Sequence, residues 1–311
     1  MNAVFQHGGN GRIDLRYAPA TKPAIGHDTV LIEVELASLE CVDTHDPVTL
    51  PAPVPTRIPG CQAVGTVIAA GPAVTRFAAG DRVVGHHPGG AFAELFAVPE
   101  ATVWHLPEGI DPAFAAAVPH AFASAHATLF ARGGLRQGET LLINGVTSAI
   151  GLILLQTAAQ AGARVTGIAA DASRQDTLTG YGLSHLIDRC GNDVLAACLE
   201  ASDGRGFDFV VDTGLGADYD MLSRLTVSGG RYASFHRDNQ HRDPRFAHFA
   251  IGLFAPMDDP AVHALVEREL HRVARGEVEI PVEHEFALCE AGEAWAFTRR
   301  GGVYGRVVLR P

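Results

Sequence analysis

Residues 140–170, TLLINGVTSAIGLILLQTAAQAGARVTGIAA, decide the fold of this chain. A short apolar run at 141–143 ends in a turn that contains Gly145, and an apolar segment of helical length follows it. The sequence Ala-Gly-Ala at 161–163 then precedes a second apolar run that begins at Val165. This order of strand, tight turn, helix and strand predicts one βαβ unit of a parallel sheet.

The turn between the first strand and the helix has the character of an anion site. Backbone N–H groups at a helix start point outward, and the helix dipole adds partial positive charge. Gly145 opens the turn, Gly151 permits close helix–sheet packing, and Ser148 stands where the standard fingerprint has its middle glycine. We predict that this turn binds the diphosphate of a dinucleotide, with a hydroxyl contribution from Ser148; a buried βαβ unit without a ligand is the alternative. The candidate contacts are Gly145, Val146, Thr147, Ser148, Ala149, Ile150 and Gly151.

Length and composition are typical of an enzyme with two domains. The chain has 311 residues, 47% of them hydrophobic, which suffices for two cores. Its 24 basic and 35 acidic residues give a net charge of −11. Nucleic acid or an anionic membrane would repel such a surface, so we expect a small-molecule substrate instead.

The cysteine pattern predicts reduced thiols in the cytoplasm. There are five cysteines, an odd number, and no C-x-x-C pair. The N-terminal residues show no charged region followed by an apolar core, so we expect no signal peptide. The most apolar window, around 150–159, is too short to span a bilayer.

Two regions of different style follow each other along the chain. Residues 1–117 contain short β-like runs separated by Pro and Gly, as at 30–36 and 63–71, which predicts a mostly antiparallel domain. Strand-like and helix-like runs then alternate up to the strand-like run 231–235, which predicts a doubly wound parallel sheet in an α/β fold. We place one domain at 1–117 plus 256–311 and the other at 118–255.

The order of motifs resembles the medium-chain dehydrogenase/reductase superfamily, and within it the quinone oxidoreductase-like branch. The matching pieces are ECVDTHD at 40–46, IPGCQAVGTVIAAG at 58–71, FAAGDRVVG at 77–85, GGAFAELFAVPEATVWHLPEGID at 89–111, the GVTSAIG turn, GRGFDFVVDTGLG at 204–216, SGGRYASF at 228–235 and YGRVVLRP at 304–311. The resemblance implies a GroES-like substrate domain built from both chain ends, with a Rossmann domain inserted. It also implies hydride transfer with NAD(P)H in the cleft between them, often by a homodimer.

The zinc-dependent members of this superfamily have metal-ligand positions that can be compared with residues of this chain. Their structural zinc needs four soft ligands, whereas this chain has no cysteine between Cys61 and Cys190, so we expect no structural zinc. By resemblance, their catalytic ligands fall on Glu40, Cys61 and His120, all of which can bind zinc. Because the quinone oxidoreductase branch has non-ligands there, we expect no metal, and this trio is the alternative.

A candidate catalytic pair lies in the sequence DTHD. His45 falls where the relatives have a proton-relay histidine or a pocket tyrosine, and Asp43 stands two residues before it. An imidazole titrates near neutrality, so His45 can deliver a proton to a reduced carbonyl. A surface-loop histidine is the alternative.

The end of the second strand of the βαβ unit bears on the choice of coenzyme. An acidic residue there would bind the adenosine ribose and repel a 2′-phosphate, but the sequence has Ala169 and Ala170, with Arg174 nearby. A guanidinium pairs well with a phosphate, so we expect NADPH. Asp171 is the counter-evidence and keeps NADH open.

Further coenzyme contacts are expected where later strands end, because ligands bind at the carboxyl edge of an open parallel sheet. Asp212 and Thr213 end one strand, and Ser234 and Phe235 end the next. By resemblance, Arg306 falls close to the coenzyme. The segment 236–249 is dense in charge and histidine, and we predict a loop there.

Together these features predict a metal-independent, NADPH-dependent reductase of quinones or α,β-unsaturated carbonyls. Two alternatives stay open. One is a zinc alcohol dehydrogenase that uses Glu40, Cys61 and His120. The other is a dinucleotide-binding protein without catalysis.

Overall fold

The structure is a computed structural model that describes residues 1–9, 12–40, 54–170, 172–191, 193–214, 218–235, 243–251 and 256–311. The chain divides into two compact units, one of residues 1–120 with 256–311 and one of residues 121–255. In the described part, no helix has the length and apolar character needed to cross a membrane.

The first unit is built from two sheets that are mainly antiparallel. In the smaller sheet the strand order is β2-β1-β4. The larger sheet has the order β15-β16-β3-β5-β6-β8, and β7 pairs with β3. Only the β15–β16 pair among these is parallel. The strands are β1 (Asn2–Gly9), β2 (Arg12–Pro19), β3 (Thr29–Ser38), β4 (Val54–Arg57), β5 (Gln62–Ala70), β6 (Arg82–His86), β7 (Leu95–Pro99), β8 (Val103–His105), β15 (Val282–Ala287) and β16 (Arg306–Arg310).

Helices of the first unit begin at capped positions. Asp111 caps α1 (Pro112–Ala115) and Asp259 caps α7 (Pro260–Ala274), each with a proline directly after the cap. This is the combination that satisfies the first N–H groups of a helix at least cost. Helix α8 (Ala291–Arg299) also belongs to this unit. Helix α2 (Val118–His126) begins in the first unit and ends in the second, where a π-helical segment at 127–132 continues it.

The second unit is a six-stranded parallel sheet with helices, which confirms the predicted α/β fold class. Its strand order is β11-β10-β9-β12-β13-β14. Leu142, Ile168 and Val210 are fully buried, as expected for strands covered on both faces. The strands are β9 (Thr140–Asn144), β10 (Arg164–Ala169), β11 (Leu183–Asp188), β12 (Phe207–Asp212), β13 (Thr226–Ser234) and β14 (Ala247–Ala250), and the helices are α3 (Ala149–Gln160), α4 (Gln175–Gly180), α5 (Val194–Ala201) and α6 (Tyr219–Leu225).

The end of the predicted loop 236–249 is corrected by the structure. Residues Ala247–Ala250 form β14, which pairs in parallel with β13 through residues 231–234. The run of charges before this strand hid it, because only Phe246, Phe249 and the alanines supply apolar side chains. Tertiary pairing with β13 outweighs this weak local signal.

We predict that Gly65→Ala destabilises the protein by about 2–4 kcal/mol. A Cβ atom at Gly65 would lie 1.9 Å from the carbonyl oxygen of Glu33 on the paired strand β3, so β3 and β5 would have to separate. Gly180→Ala is the matched control, because its Cβ would meet nothing within 4 Å; we expect it to be neutral or stabilising by about 0.5–1 kcal/mol. Urea unfolding of both variants checks this; equal stabilities would contradict it.

Candidate functional site

The turn between β9 and α3 requires glycine at two positions. Gly145 has φ +79°, and a Cβ there would lie 2.4 Å from Thr213 Oγ1. At Gly151 a Cβ would lie 2.3 Å from the carbonyl oxygen of Gly145. Any side chain at Gly151 would therefore push the helix away from the turn. The turn and the first residues of α3 can approach this closely only because both residues are glycine.

Several polar groups of this turn are already used inside the protein. The N–H groups of Gly145 and Val146 both donate to the carbonyl oxygen of Ile168, at 2.9 and 3.1 Å, and that of Ser148 donates to Gly145 at 3.0 Å. These bonds fix the turn against β10. They also remove three N–H groups from the set predicted to bind a diphosphate.

The Ser148 side chain makes hydrogen bonds to both the start of α3 and the turn. Its Oγ accepts from the Gly151 N–H at 3.1 Å, and its hydroxyl donates to the Gly145 carbonyl at 2.7 Å. Ser148 is thus the N-cap of α3, and its proton is engaged within the turn. In the structure this hydroxyl donates within the turn, and its donation to a phosphate stays a prediction.

Three backbone donors remain at the start of α3. The N–H groups of Thr147, Ala149 and Ile150 have no hydrogen-bond acceptor among the described residues. Ala149 and Ile150 are the first two helical residues, whose N–H groups have no partner within the helix. Together with the helix dipole, these donors form a cradle suited to an anion.

The candidate coenzyme contacts Ala170 and Arg174 lie just after β10. Ala170 follows the strand and is exposed, and Arg174 is an exposed residue directly before α4. Asp171, the residue that favours NADH, lies outside the described residues. The side chains of Ala170 and Arg174 thus both reach solvent at the carboxyl edge of the sheet.

Asp212 belongs to a buried network. Its carboxylate accepts from Asn144 Nδ2 at 2.7 Å, the Gly214 N–H at 3.0 Å and the Tyr232 hydroxyl at 3.1 Å. Burial raises the pKa of this carboxyl above its ordinary value, although these hydrogen bonds oppose the rise. The Asp212 side chain therefore helps to hold β9, β12 and β13 together, and its contact with a coenzyme stays a prediction.

The other strand-end residues lie at the same edge of the sheet. Thr213 donates from its hydroxyl to the Asn144 carbonyl at 2.7 Å, next to the turn. Ser234 is buried with its Oγ 3.3 Å from His248 Nε2, and Phe235 directly after it is half-buried. The predicted catalytic residues Asp43 and His45 lie outside the described residues.

In the first unit, Glu40 and Arg306 form a buried ion pair. Arg306 Nη1 contacts Glu40 Oε1 and donates to Ser38 Oγ at 2.9 Å. Burial raises the pKa of Glu40, but Arg306 and the hydrogen bonds from Ser38 and Gln62 outweigh it and hold this pKa below its ordinary value. Arg306 is only 1% exposed and contacts Glu40 in the structure, and its coenzyme contact stays a prediction.

Three metal-competent side chains meet beside this pair. A ring nitrogen of His86, a ring nitrogen of His120 and the Cys61 Sγ all lie within 4.8 Å of one another. Burial lowers the pKa of His86 to about 3, and burial likewise lowers the pKa of His120 although the nearby Glu40 opposes it. The structure thus brings together two of the predicted candidates, Cys61 and His120, but in place of Glu40 it supplies His86.

His86 was missed by sequence reasoning. The only signal is the pair His86-His87 at the end of an apolar run, and such a pair is common in loops. Its nearness to Cys61 follows from strand register, since Gln62 pairs with His86 across β5 and β6.

Two family models match the chain. The model of the alcohol dehydrogenase GroES-like domain matches residues 26–108, and that of the zinc-binding dehydrogenase matches residues 149–246. Together these stretches make up more than half of the chain. The protein belongs to the medium-chain dehydrogenase/reductase superfamily, and its fold is that of the quinone oxidoreductase-like branch, which confirms the resemblance.

Known structures share the fold, and a curated protein matches most of the chain. The fold is similar to that of a Pseudomonas syringae quinone oxidoreductase (22% identity, TM-score 0.89) and of the Escherichia coli quinone oxidoreductase complexed with NADPH (19% identity, TM-score 0.88), each covering 100% of both chains. Among curated proteins, erythronolide synthase EryA2 of Saccharopolyspora erythraea is 31% identical over 258 residues, which are 80% of this chain and 7% of that protein. The chain therefore spans only a small part of this relative.

Proposed function

We propose that the protein is an NAD(P)H-dependent oxidoreductase that reduces a quinone or an α,β-unsaturated carbonyl compound. The observation that carries the proposal is the cradle formed by the N–H groups of Thr147, Ala149 and Ile150 at the start of α3. Membership of a dehydrogenase superfamily and the NADPH complex of a protein with the same fold support it.

The residues of the chain have distinct parts in this proposal. When bound, the reduced nicotinamide supplies a hydride to the substrate. The α3 cradle holds the diphosphate, and the Asp212 network fixes the strand ends beside it. His45 donates the proton that the resulting enolate or hydroquinone anion needs. Because conjugation spreads the developing charge over the substrate, we propose that this step needs no metal.

The zinc alcohol dehydrogenase alternative loses one of its three ligands. The Glu40 carboxylate is bound by Arg306, Ser38 and Gln62, so a metal would have to displace a buried guanidinium to reach it. The predicted set Glu40, Cys61 and His120 does not fit a zinc ion in this arrangement. We do not base a reaction step on it.

Turnover assays distinguish the proposal from a dinucleotide-binding protein without catalysis. We expect NADPH to be oxidised, by loss of its absorbance, in the presence of quinones or enones but not of simple unconjugated ketones. Saturable NADPH binding with no turnover across the panel would favour the non-catalytic alternative. The homodimer expected from the resemblance is tested separately by sedimentation velocity.

Arg174→Ala is expected to weaken the proposed preference for NADPH over NADH. Loss of a guanidinium–phosphate contact should raise the KM for NADPH by about 10-fold or more and leave that for NADH nearly unchanged. Arg136→Ala is the control, because Arg136 is also an exposed arginine of this unit but precedes β9 at the amino edge of the sheet. If Arg174→Ala changes both KM values equally, Arg174 does not read the 2′-phosphate.

A further inference from the structure

We propose that Cys61, His86 and His120 bind one divalent metal ion, of which zinc is the best fit. This site differs from the set predicted by resemblance, because His86 replaces Glu40 as a ligand. It is independent of the proposed function, since reduction of a conjugated carbonyl needs no metal.

The three ligand atoms are nearly in place. They lie within 4.8 Å of one another, whereas the ligand atoms around tetrahedral zinc are about 3.3–3.6 Å apart, given bonds of about 2.0–2.1 Å to nitrogen and 2.3 Å to sulfur. The side chains must therefore approach by about 1 Å, which is within the reach of small side-chain rotations. All three residues lie in the first unit, so no movement between units is needed.

Two nitrogen atoms of this cluster are buried without a partner. His86 Nε2 and His120 Nδ1 have no hydrogen bond to any described residue. Leaving a polar atom buried and unsatisfied costs free energy, so native proteins rarely tolerate it without a reason. The rings stack with centroids 5.8 Å apart, and His86 is 95% buried, so solvent does not supply the missing partner. A metal ion bound through His86 Nε2 and His120 Nδ1 would satisfy both nitrogens.

The backbone holds the ligands in fixed positions. Cys61 directly precedes β5 and His86 ends β6, and the Cys61 carbonyl accepts from the His87 N–H at 2.8 Å. The N–H of His120 in α2 donates to Gln62 Oε1 at 2.9 Å. Gln62 is thus bonded at both ends of its amide, because its Nε2 donates to Glu40 at 2.6 Å. Such supporting contacts orient metal ligands in known sites.

The donor set selects the kind of ion. One thiol and two imidazoles are soft to borderline ligands, which suit zinc and cobalt rather than magnesium or calcium. Three protein ligands leave one tetrahedral position for water or another small ligand. Cys61 is buried and is not part of a disulfide, so its sulfur is chemically able to bind a metal as a thiolate.

Cobalt(II) titration of chelator-treated full-length protein tests the proposal. We expect one ion per chain, a tetrahedral visible spectrum and a sulfur-to-cobalt charge-transfer band that zinc abolishes by competition. His86→Gln should weaken binding at least 100-fold, and Cys61→Ser should lose the charge-transfer band. Cys289→Ser, which removes an exposed thiol, should leave both unchanged. Near-ultraviolet circular dichroism checks that each variant is folded, and His120→Gln serves as a second ligand variant.

The result that overturns the proposal is equally specific. A wild-type protein that binds no cobalt, or a His86→Gln variant with unchanged affinity and spectrum, would show that the cluster is a metal-free polar core. Replacing Glu40 and Arg306 together by methionine shows whether His86 or Glu40 is the third ligand. That double variant should keep cobalt binding if His86 is the ligand and lose it if Glu40 is.

Discussion

Replacing Ala149 by proline is expected to raise the dissociation constant for NADPH by about 10- to 100-fold, because it removes a charge-assisted hydrogen bond to the diphosphate. Ala149 is the first residue of α3, so its N–H makes no bond within the helix, and proline is well tolerated there. Ser148, with φ −67° and ψ 160°, already has the conformation that a residue before proline prefers. The protein itself uses proline at this position in α1 and α7.

The control for this variant is Ala149→Ser, which alters the side chain but keeps the N–H. Calorimetric titration should show that Ala149→Ser binds NADPH with near wild-type affinity and that Ala149→Pro binds it much more weakly. Thermal unfolding should be similar for both variants. If the Ala149→Pro variant binds NADPH as tightly as the Ala149→Ser variant does, the Ala149 N–H does not contact the coenzyme.

The second large effect concerns the Glu40–Arg306 pair. We expect Glu40→Ala to destabilise the protein by about 3–5 kcal/mol, because it leaves the buried guanidinium of Arg306 without a counter-charge. Urea unfolding with a tryptophan or far-ultraviolet signal measures this change in the free energy of unfolding.

The double variant Glu40→Met/Arg306→Met is the decisive comparison. It removes both charges and fills the space with apolar side chains, so we expect most of the lost stability to return. A conventional exposed pair, Arg16 with Asp14, provides the reference, since breaking it should cost less than about 1 kcal/mol. A Glu40→Ala variant within that same small range would mean that Arg306 is not held by Glu40.

Local sequence was sufficient for the parallel sheet and the turn before α3. The apolar runs, Gly145 and Gly151 act over a few residues, and nothing elsewhere in the chain overrides them. The sequence also placed Ser148 in this turn, but it did not indicate which hydrogen bonds Ser148 makes. A serine before a helix commonly accepts a hydrogen bond from an N–H group of the first helical turn. Only the three-dimensional structure shows that the Ser148 hydroxyl also donates to the Gly145 carbonyl oxygen.

The arrangement around Cys61 depends on contacts between residues far apart in sequence. Arg306 and Glu40 are brought together because β16 pairs with the end of β3, and no local pattern encodes that pairing. His86 reaches Cys61 through the register of β5 and β6. The resemblance to zinc-dependent relatives indicated the region around Cys61 and His120, but a family position does not reveal that the Glu40 side chain pairs with Arg306.

We propose above that the backbone N–H groups at the start of α3 hold a dinucleotide diphosphate. Backbone amide NMR of ¹⁵N-labelled protein during addition of NADPH tests it most directly. Saturable shifts that are largest at Thr147, Ala149 and Ile150 are the predicted result. NADPH binding that leaves these three amides unchanged, or an absence of any binding, would contradict the account.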